Sequence, residues 1–540
     1  MTISTERPPV QLRTPPHHRA GTTSRARRWI WPAGFAAAGL ILFLAYLRQA
    51  ATTPLRSDGA SNVLQAWDLL HGNPLLRGWT LSDVSFYTTE LPQYALIEVV
   101  RGLNASVVDW AAAMTYTLLV LGAAALARGA ATGLTGLVRA LLAAGIMLAP
   151  SAAGTLTLLA NPDHTGTQVA LVTAWLVLDR FRHRWWGPPA VAVLLAWAQI
   201  ADPMALFEGA LPIALVCGSR LYRRRHEPCD LLLTAGALVS CGAASVTLGV
   251  IRSLGGFAVM QPYAVFTQIS SLYSHLSVTA ESVLILYGAD FSGEQLGPAA
   301  AITLVHLIGV ALALWAIILI VRRFGTCELL VQVLAVSLLI VLTAYTLNGT
   351  MTAGSDHEVV GALPLGAVLA GRVLAIPLIR ARHLPALALI LACYAGALAH
   401  HAAQPPAADP DREIVTWLQH HQLRYGFASY WTASAVTVDS GETIRVRPVS
   451  RTGPVLSVVP WESKASWYDA SHDPRFVIIS RHSGLCWRMT IGDWQHAARR
   501  TFGTPTATYH VAGYLILVWK TNMLASHQLA TIQPTSPAMC

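Results

Sequence analysis

Asp58 stands just past the first hydrophobic run, in Ser57-Asp58-Gly59-Ala60-Ser61-Asn62, and ahead of Trp67-Asp68-Leu69-Leu70-His71-Gly72-Asn73-Pro74. A carboxylate at the edge of an apolar segment is expensive in a low dielectric, so its presence there argues for chemistry that needs the charge. The polar stretch that follows closes with Tyr87-Thr88-Thr89-Glu90-Leu91-Pro92-Gln93-Tyr94. It is longer than the short turn that usually joins the first two helices of a transporter, and reads as the first half of an active site. Asn161-Pro162-Asp163-His164-Thr165-Gly166 supplies a second carboxylate and an imidazole in a tight Pro/Gly turn. That turn suits a second catalytic element, or equally a cap for the next helix. Ser355-Asp356-His357-Glu358 is a further acidic, imidazole-bearing turn, and Asp83 lies inside the first loop. Ala201-Asp202-Pro203 reads first as an ordinary turn starter.

These groups need a scaffold, and composition names it. Of 540 residues 54% are hydrophobic and 12% charged, against about 25% charged in a soluble protein, and mean hydropathy is +0.48. Repeated apolar runs of about 18–24 residues identify a polytopic α-helical membrane protein. We place about 11 spans near 30–50, 110–128, 137–160, 166–181, 188–201, 204–219, 230–251, 299–321, 329–347, 359–379 and 384–400. The net charge of +9 is carried by arginine clusters (Arg25, Arg27 and Arg28; Arg180, Arg182 and Arg184; Arg220 with Arg223–Arg225; Arg322 and Arg323; Arg380 and Arg382) that fall on alternate loops. That is a topology signal rather than a nucleic-acid footprint. It puts the N-terminus in the cytoplasm and the C-terminal region outside. The first span, with no small-residue cleavage site behind it, reads as an anchor. Acids in the span region gather on the outer side, where a catalytic surface at the outer leaflet would need them.

Residues 1–28 are Pro-, Thr- and Arg-rich and read as a disordered cytoplasmic segment. Residues 29–400 form the membrane part, with its first external loop near 51–109, and 401–540 an extracytoplasmic α/β domain. The connection from Arg252 to Gly297 reads as an amphipathic lid. In the C-terminal part, 411–423 and 491–502 read as helices, and 443–447, 455–459, 476–480 and 506–520 as strands. Most cysteines lie in or beside spans and pack as small apolar groups. Cys486 and Cys540 are the two that could bridge outside. No CxxC or His/Cys cluster indicates a metal, so none is expected.

Together the early Asp58, the Trp67–Pro74 helix end and Glu90-Leu91-Pro92-Gln93-Tyr94 resemble the GT-C glycosyltransferase superfamily. The bacterial relatives of protein O-mannosyltransferases and lipid A aminoarabinose transferases are the members most alike. Tyr425-Gly426-Phe427-Ala428-Ser429-Tyr430-Trp431, Trp467-Tyr468-Asp469 and Gly513–Trp519 extend the likeness into the C-terminal domain. The resemblance implies transfer of a sugar from a polyprenyl-phosphate donor to an envelope acceptor (glycan, lipid or protein hydroxyl) with inversion, and Asp58 as general base. Here Gly59 follows Asp58 where many members carry a second acid, so Asp83 or Asp163 would take that role. Lysine is limited to Lys464 and Lys520, so Arg56, Arg77, Arg252 and His357, with Glu90 and His164, are the candidates for holding substrate. No protein cofactor is expected beyond the lipid-linked donor, and a divalent cation is left open. The rival classes are a transporter or flippase, which would show repeats and mid-membrane carboxylates, and a glycan-binding scaffold, which would tolerate loss of Asp58.

Overall fold

The computed structural model describes residues 25–160, 163–223, 227–261, 264–293, 295, 297–408, 410–458, 460–480, 490–525 and 529–530. The segment before Arg25, Cys486 and Cys540 lie outside the described residues. The chain enters through helix α1 (Arg25–Ala50), which starts a few residues inside the segment expected to be disordered. Then come α2 (Ser57–Leu70), strand β1 (Trp79–Leu81), α3 (Glu90–Arg101), α4 (Ser106–Arg128), α5 (Gly133–Met147), α6 (Ala152–Leu158), α7 (Thr165–Phe181), α8 (Gly187–Ala201) and α9 (Leu211–Tyr222). The membrane part continues with α10 (Pro228–Ser253), β2 (Ala258–Val259), α11 (Leu272–Leu286), α12 (Pro298–Arg323), α13 (Leu329–Leu347), α14 (Ala362–Arg380) and α15 (Leu384–Ala402).

Among the described residues, eight helices are long and apolar enough to cross a membrane: α1, α4, α10, α11 with the turn ahead of it, α12, α13, α14 and α15. This is a multi-pass membrane protein. The count differs from the expected eleven for physical reasons. The 137–160 run is a bent pair, α5 and α6, meeting at 98° across Pro150, where Ser151 caps α6 by accepting the Gly154 N–H. α7 and α8 stop at 17 and 15 residues. The 204–219 run opens with a π-helical turn, Leu206–Ala210, and leaves only 12 residues for α9. Conversely, α11 lies within the Arg252–Gly297 connection expected as a lid. It is not a lid: Ser282 Oγ and Tyr345 Oη lie 2.9 Å apart, as do the Thr279 and Thr346 hydroxyls, fastening α11 to α13.

α14 is the centre of the bundle. Of its apolar window 89% is buried, against 22% in α10 and 17% in α15, whose outward leucines and valines suit lipid. Small residues let neighbours approach: a Cβ on Gly371 would sit 2.6 Å from the Arg139 carbonyl oxygen. The next residue, Arg372, donates to the Leu126 carbonyl from Nε (2.9 Å) and Nη2 (2.7 Å), and pairs with Asp179 (2.5 Å) and Glu328 (3.0 Å).

The C-terminal domain holds α16 (Pro410–His420), β3 (Tyr425–Ala428), α17 (Tyr430–Asp439), β4 (Arg445–Thr452), β5 (Val455–Val458), β6 (Ser463–Lys464), β7 (Phe476–Ser480), α18 (Ile491–Phe502), β8 (Ala507–Val511) and β9 (Tyr514–Val518). Six strands form one sheet in the order β5-β4-β3-β7-β9-β8, with β3 parallel to β4 and β7. The strict alternation of β7 explains its two-sided burial: Val477 and Ile479 pack with Trp494 and Phe502 of α18, while Phe476 and Ile478 meet Ile414 of α16 and Val436 of α17.

Strand β6 does not join that sheet. It pairs antiparallel with β1 of the first loop (Trp79 opposite Lys464, Thr80 opposite Ser463), and β2 adds to the other edge of β1 in parallel. Asp68 locks the junction by pairing with Lys464 Nζ (3.0 Å) and accepting from Trp79 Nε1 (2.7 Å) and Asn73 Nδ2 (2.6 Å). Trp79 and Trp467 meet edge-to-face at 4.9 Å, and Arg447 covers Trp467 at 4.0 Å.

Candidate active site

The first turn of α2 carries Asp58, half-buried, where the helix N-terminus favours negative charge. α2 lies against α17: Ser57 Oγ donates to the Tyr430 carbonyl (2.5 Å) and Ser61 Oγ to Ser434 Oγ (3.1 Å). That docking brings Tyr430 Oη to 2.5 Å from Asp58 Oδ1 and 2.6 Å from Glu462 Oε2. Glu462 is buried (3% exposed) and adopts left-handed backbone at φ 47°. A non-glycine residue held in that region is strained, and such strain gathers at functional sites. Ser61 and Ser82 hydrogen-bond its carboxyl. Burial, then the charge of Asp58, pushes Glu462 up to about 8.

Asp163 and His164 open α7. Asp163 is buried, and its carboxyl is held well above the usual range by that burial and by repulsion from Asp58. His164, itself left-handed at φ 60°, places Nδ1 2.8 Å from Asp202 Oδ2. Burial would pull the imidazole pKa down, but the charge and hydrogen bond of Asp202, with Glu358 behind them, hold it well above its ordinary value. Asp202 thus does more than start a turn, although its Oδ1 also accepts the Met204 N–H (2.8 Å) as a turn residue would. His164 and His357 stack at 5.8 Å, and His164 Nε2 (3.9 Å) and His357 Nε2 (3.8 Å) flank the Glu358 carboxylate. One ligand atom from each of His164, His357 and Glu358 can converge within 4.8 Å. Asp202 behind His164 supplies the outer carboxylate that orients a metal-binding imidazole, so the donor set fits a divalent cation.

Glu90 is committed to structure. Its Oε1 accepts the N–H groups of Gly166 (2.9 Å) and Thr167 (3.2 Å), so it caps α7 from another helix, and Thr89 hydrogen-bonds its other oxygen. Burial, with the nearby charge of Asp202, pushes Glu90 up to about 7 against that Thr89 bond. The arrangement explains Gly166: a Cβ there would lie 2.6 Å from the Glu90 carboxyl. Gly166→Ala should therefore lower stability by about 1–3 kcal/mol. A fall in the thermal unfolding midpoint of the detergent-solubilised protein would register this, and an unchanged midpoint would refute the packing argument.

The structure gathers six of the nine sequence candidates around one cluster: Asp58, Asp83, Asp163, His164, His357 and, as a cap, Glu90. Asp83 belongs because its carboxyl is raised by burial, then by Glu358, and feels His164 and Asp202. Arg56 is exposed at the cap of α2. Arg77 and Arg252 are exposed and, among the described residues, make no ion pair with the cluster. Tyr430 and Glu462 escaped the sequence reading as site residues. Tyr430 sat in a stretch noted for its likeness to relatives, but nothing in the order of residues ties it to Asp58, 372 positions away. Asp58 is the half-buried carboxylate of the group, while burial and repulsion from Asp58 raise both Asp163 and Glu462.

The chain is thus a polytopic helical bundle whose C-terminal α/β domain pairs with the first loop. Among solved structures the chain is similar to ArnT from Cupriavidus metallidurans. Against the form bound to undecaprenyl phosphate the TM-score is 0.54 at 12% identity, covering 94% of this chain and 100% of that one. Against the apo form it is 0.53 at 10%, covering 92% and 99%. A likeness to the oligosaccharyltransferase of Archaeoglobus fulgidus, tethered to an acceptor peptide, has a TM-score of 0.47 at 11% identity, covering 89% and 73%. No family model matches the chain, and no curated protein does. The polytopic helical membrane fold with a C-terminal α/β domain expected from the sequence is the one observed, though with a different number of spans.

Proposed function

We propose that this protein is an inverting membrane glycosyltransferase that moves a sugar from a polyprenyl-phosphate donor to a hydroxyl of an envelope glycan, lipid or protein. The observation that carries the reading is Asp58, a half-buried carboxylate fixed at a helix N-terminus among buried acids whose pKa values are raised. It occurs in a fold in which ArnT binds undecaprenyl phosphate. The acceptor O–H gives its proton to Asp58 as the oxygen attacks the anomeric carbon. The bond from that carbon to the phosphate oxygen breaks on the opposite face, and its electron pair leaves with the polyprenyl phosphate, a stable anion needing no strong acid. Asp163 and Asp83 line the same cluster, where a protonated carboxyl can donate to sugar oxygens. In this reading His357, His164 and the exposed Arg56 are the basic side chains offered to the departing phosphate. Arg77 and Arg252 would act, if at all, on the lipid headgroup at the rim.

The charge distribution along α7 supports the orientation proposed. Its first residue adjoins the acidic cluster and its last turn carries Asp179 and Arg180, so the arginine-rich end and the site lie about 25 Å apart along one helix. By the positive-inside rule, arginine clusters on alternate loops support a cytoplasmic N-terminus with the site and residues 401–540 outside, an odd number of crossings that the bent α5–α6 pair, counted as one span, would supply. The test is transfer from synthetic polyprenyl-phosphate sugars carrying labelled sugar, supplied to membranes that contain the protein. The expected result is a labelled envelope product whose new glycosidic bond has the anomeric configuration opposite to the donor. Retained configuration would refute inversion, and no transfer from any polyprenyl-phosphate sugar would refute the enzyme.

A further inference from the structure

The Tyr430 hydroxyl carries one proton, yet lies 2.5 Å from a carboxyl oxygen of Asp58 and 2.6 Å from one of Glu462. A phenol donates once. The second contact is a hydrogen bond only if one of the two acids brings its own proton. Asp58 is half-buried, at the positive end of α2, and can be hydrated as an anion. Glu462 is 3% exposed, its backbone is strained into place, and it faces Asp58, with Asp163 in electrostatic reach. A second bare carboxylate there would be unscreened from the first.

From this geometry we infer that Glu462 is a positioning residue, delivered by the C-terminal domain, that stays protonated and through Tyr430 holds Asp58 as an oriented, ionised base. Glu462 donates to Tyr430 Oη, and Tyr430 donates to Asp58 Oδ1, which fixes the orientation of the Asp58 carboxylate. The inference rests on Asp58 being the base of the proposed transfer, but its protonation pattern stands independently. β6 supplies the delivery: Ser463 and Lys464, paired with β1 and clamped by Asp68, fix the residue immediately before them. The groups that face the pair from every packed element are Asp58 and Ser61 of α2, Ser82 of the first loop, Tyr430 of α17, and Asp163 ahead of α7.

Two readouts test it. In infrared difference spectra of the purified protein, one component of the carboxylic-acid C=O absorption should be present at neutral pH, disappear as pH rises through about 8, and be missing from Glu462→Gln, while the absorption of other raised acids such as Asp163 is common to both proteins. A carboxylate band lost in Asp58→Asn should be present under the same neutral conditions. If the wild type and Glu462→Gln give the same acid band, or Asp58 contributes no carboxylate, the inference fails whether or not the protein transfers sugar. In the transfer assay, wild-type activity should fall as pH rises through about 8, because ionised Glu462 draws the phenolic proton away from Asp58. Glu462→Gln keeps a donor toward Tyr430 and should stay within a few-fold of wild type with that alkaline limb gone, whereas Glu462→Ala should lose about tenfold. Equal loss in both variants with an unchanged pH profile would mark Glu462 as a mere packing residue and overturn the role. Absence of transfer by the wild type itself would count against the proposed function, and the infrared bands would still decide where the proton sits.

Discussion

Asp58→Asn should abolish sugar transfer, by about 10²–10⁴-fold, the usual contribution of a positioned general base. The amide occupies the volume of the carboxylate, and its carbonyl oxygen can still accept from Tyr430, which lies 2.5 Å away in the native site. Folding should therefore survive, with matched membrane expression and an unchanged unfolding midpoint. The loss should appear in the rate of the chemical step rather than in donor binding, because the amide removes no cation and no apolar contact. Full retention of transfer would remove Asp58 from the mechanism and favour a scaffold that merely binds glycans.

The largest stability effect is expected at the opposite end of the bundle. Arg372 is 4% exposed at its side chain and neutralises Asp179, itself only 12% exposed, while satisfying the Leu126 carbonyl. Truncation in Arg372→Ala leaves a nearly buried carboxylate uncompensated, a loss of about 3–5 kcal/mol. The Glu328 partner adds little, since at 65% exposure water and salt screen it. The paired change with Asp179→Asn should recover most of the loss, because the uncompensated charge, rather than the missing attraction, is what destabilises. Unfolding midpoints of the two single variants and the double variant measure this, and additive losses would show that the pair does not interact.

Membrane character, the folded α/β tail and the acidic landmarks were all legible in the sequence, because hydropathy, strand alternation and Pro/Gly turns are local signals. Asp58, Asp163, His164 and His357 declared themselves as polar groups in or beside apolar runs. What the sequence hid depends on contacts between distant segments. The length of 204–219 suggests a span, but a π-helical turn at Leu206–Ala210 consumes its start. The Arg252–Gly297 connection looks amphipathic, yet α11 finds hydroxyl partners on α13 that let its polar side enter the bundle. Glu90 looked like a substrate ligand because an acid at a loop end usually is exposed; its two backbone N–H partners lie 76 and 77 residues further on. Glu462 carried no local signal at all, being one acid in a loop that only the β1–β6 pairing brings to Asp58.

That pairing also orders events during synthesis. β1 leaves the ribosome early and must stand with an unpaired edge while all the remaining helices are threaded into the bilayer, until Ser463 and Lys464 arrive to cover it. Throughout that interval Asp58 lacks Tyr430 as a partner, and Tyr430 lacks Glu462. On the proposed function the site would be complete only when the last domain docks, and completion of the chain would be its own safeguard against stray chemistry.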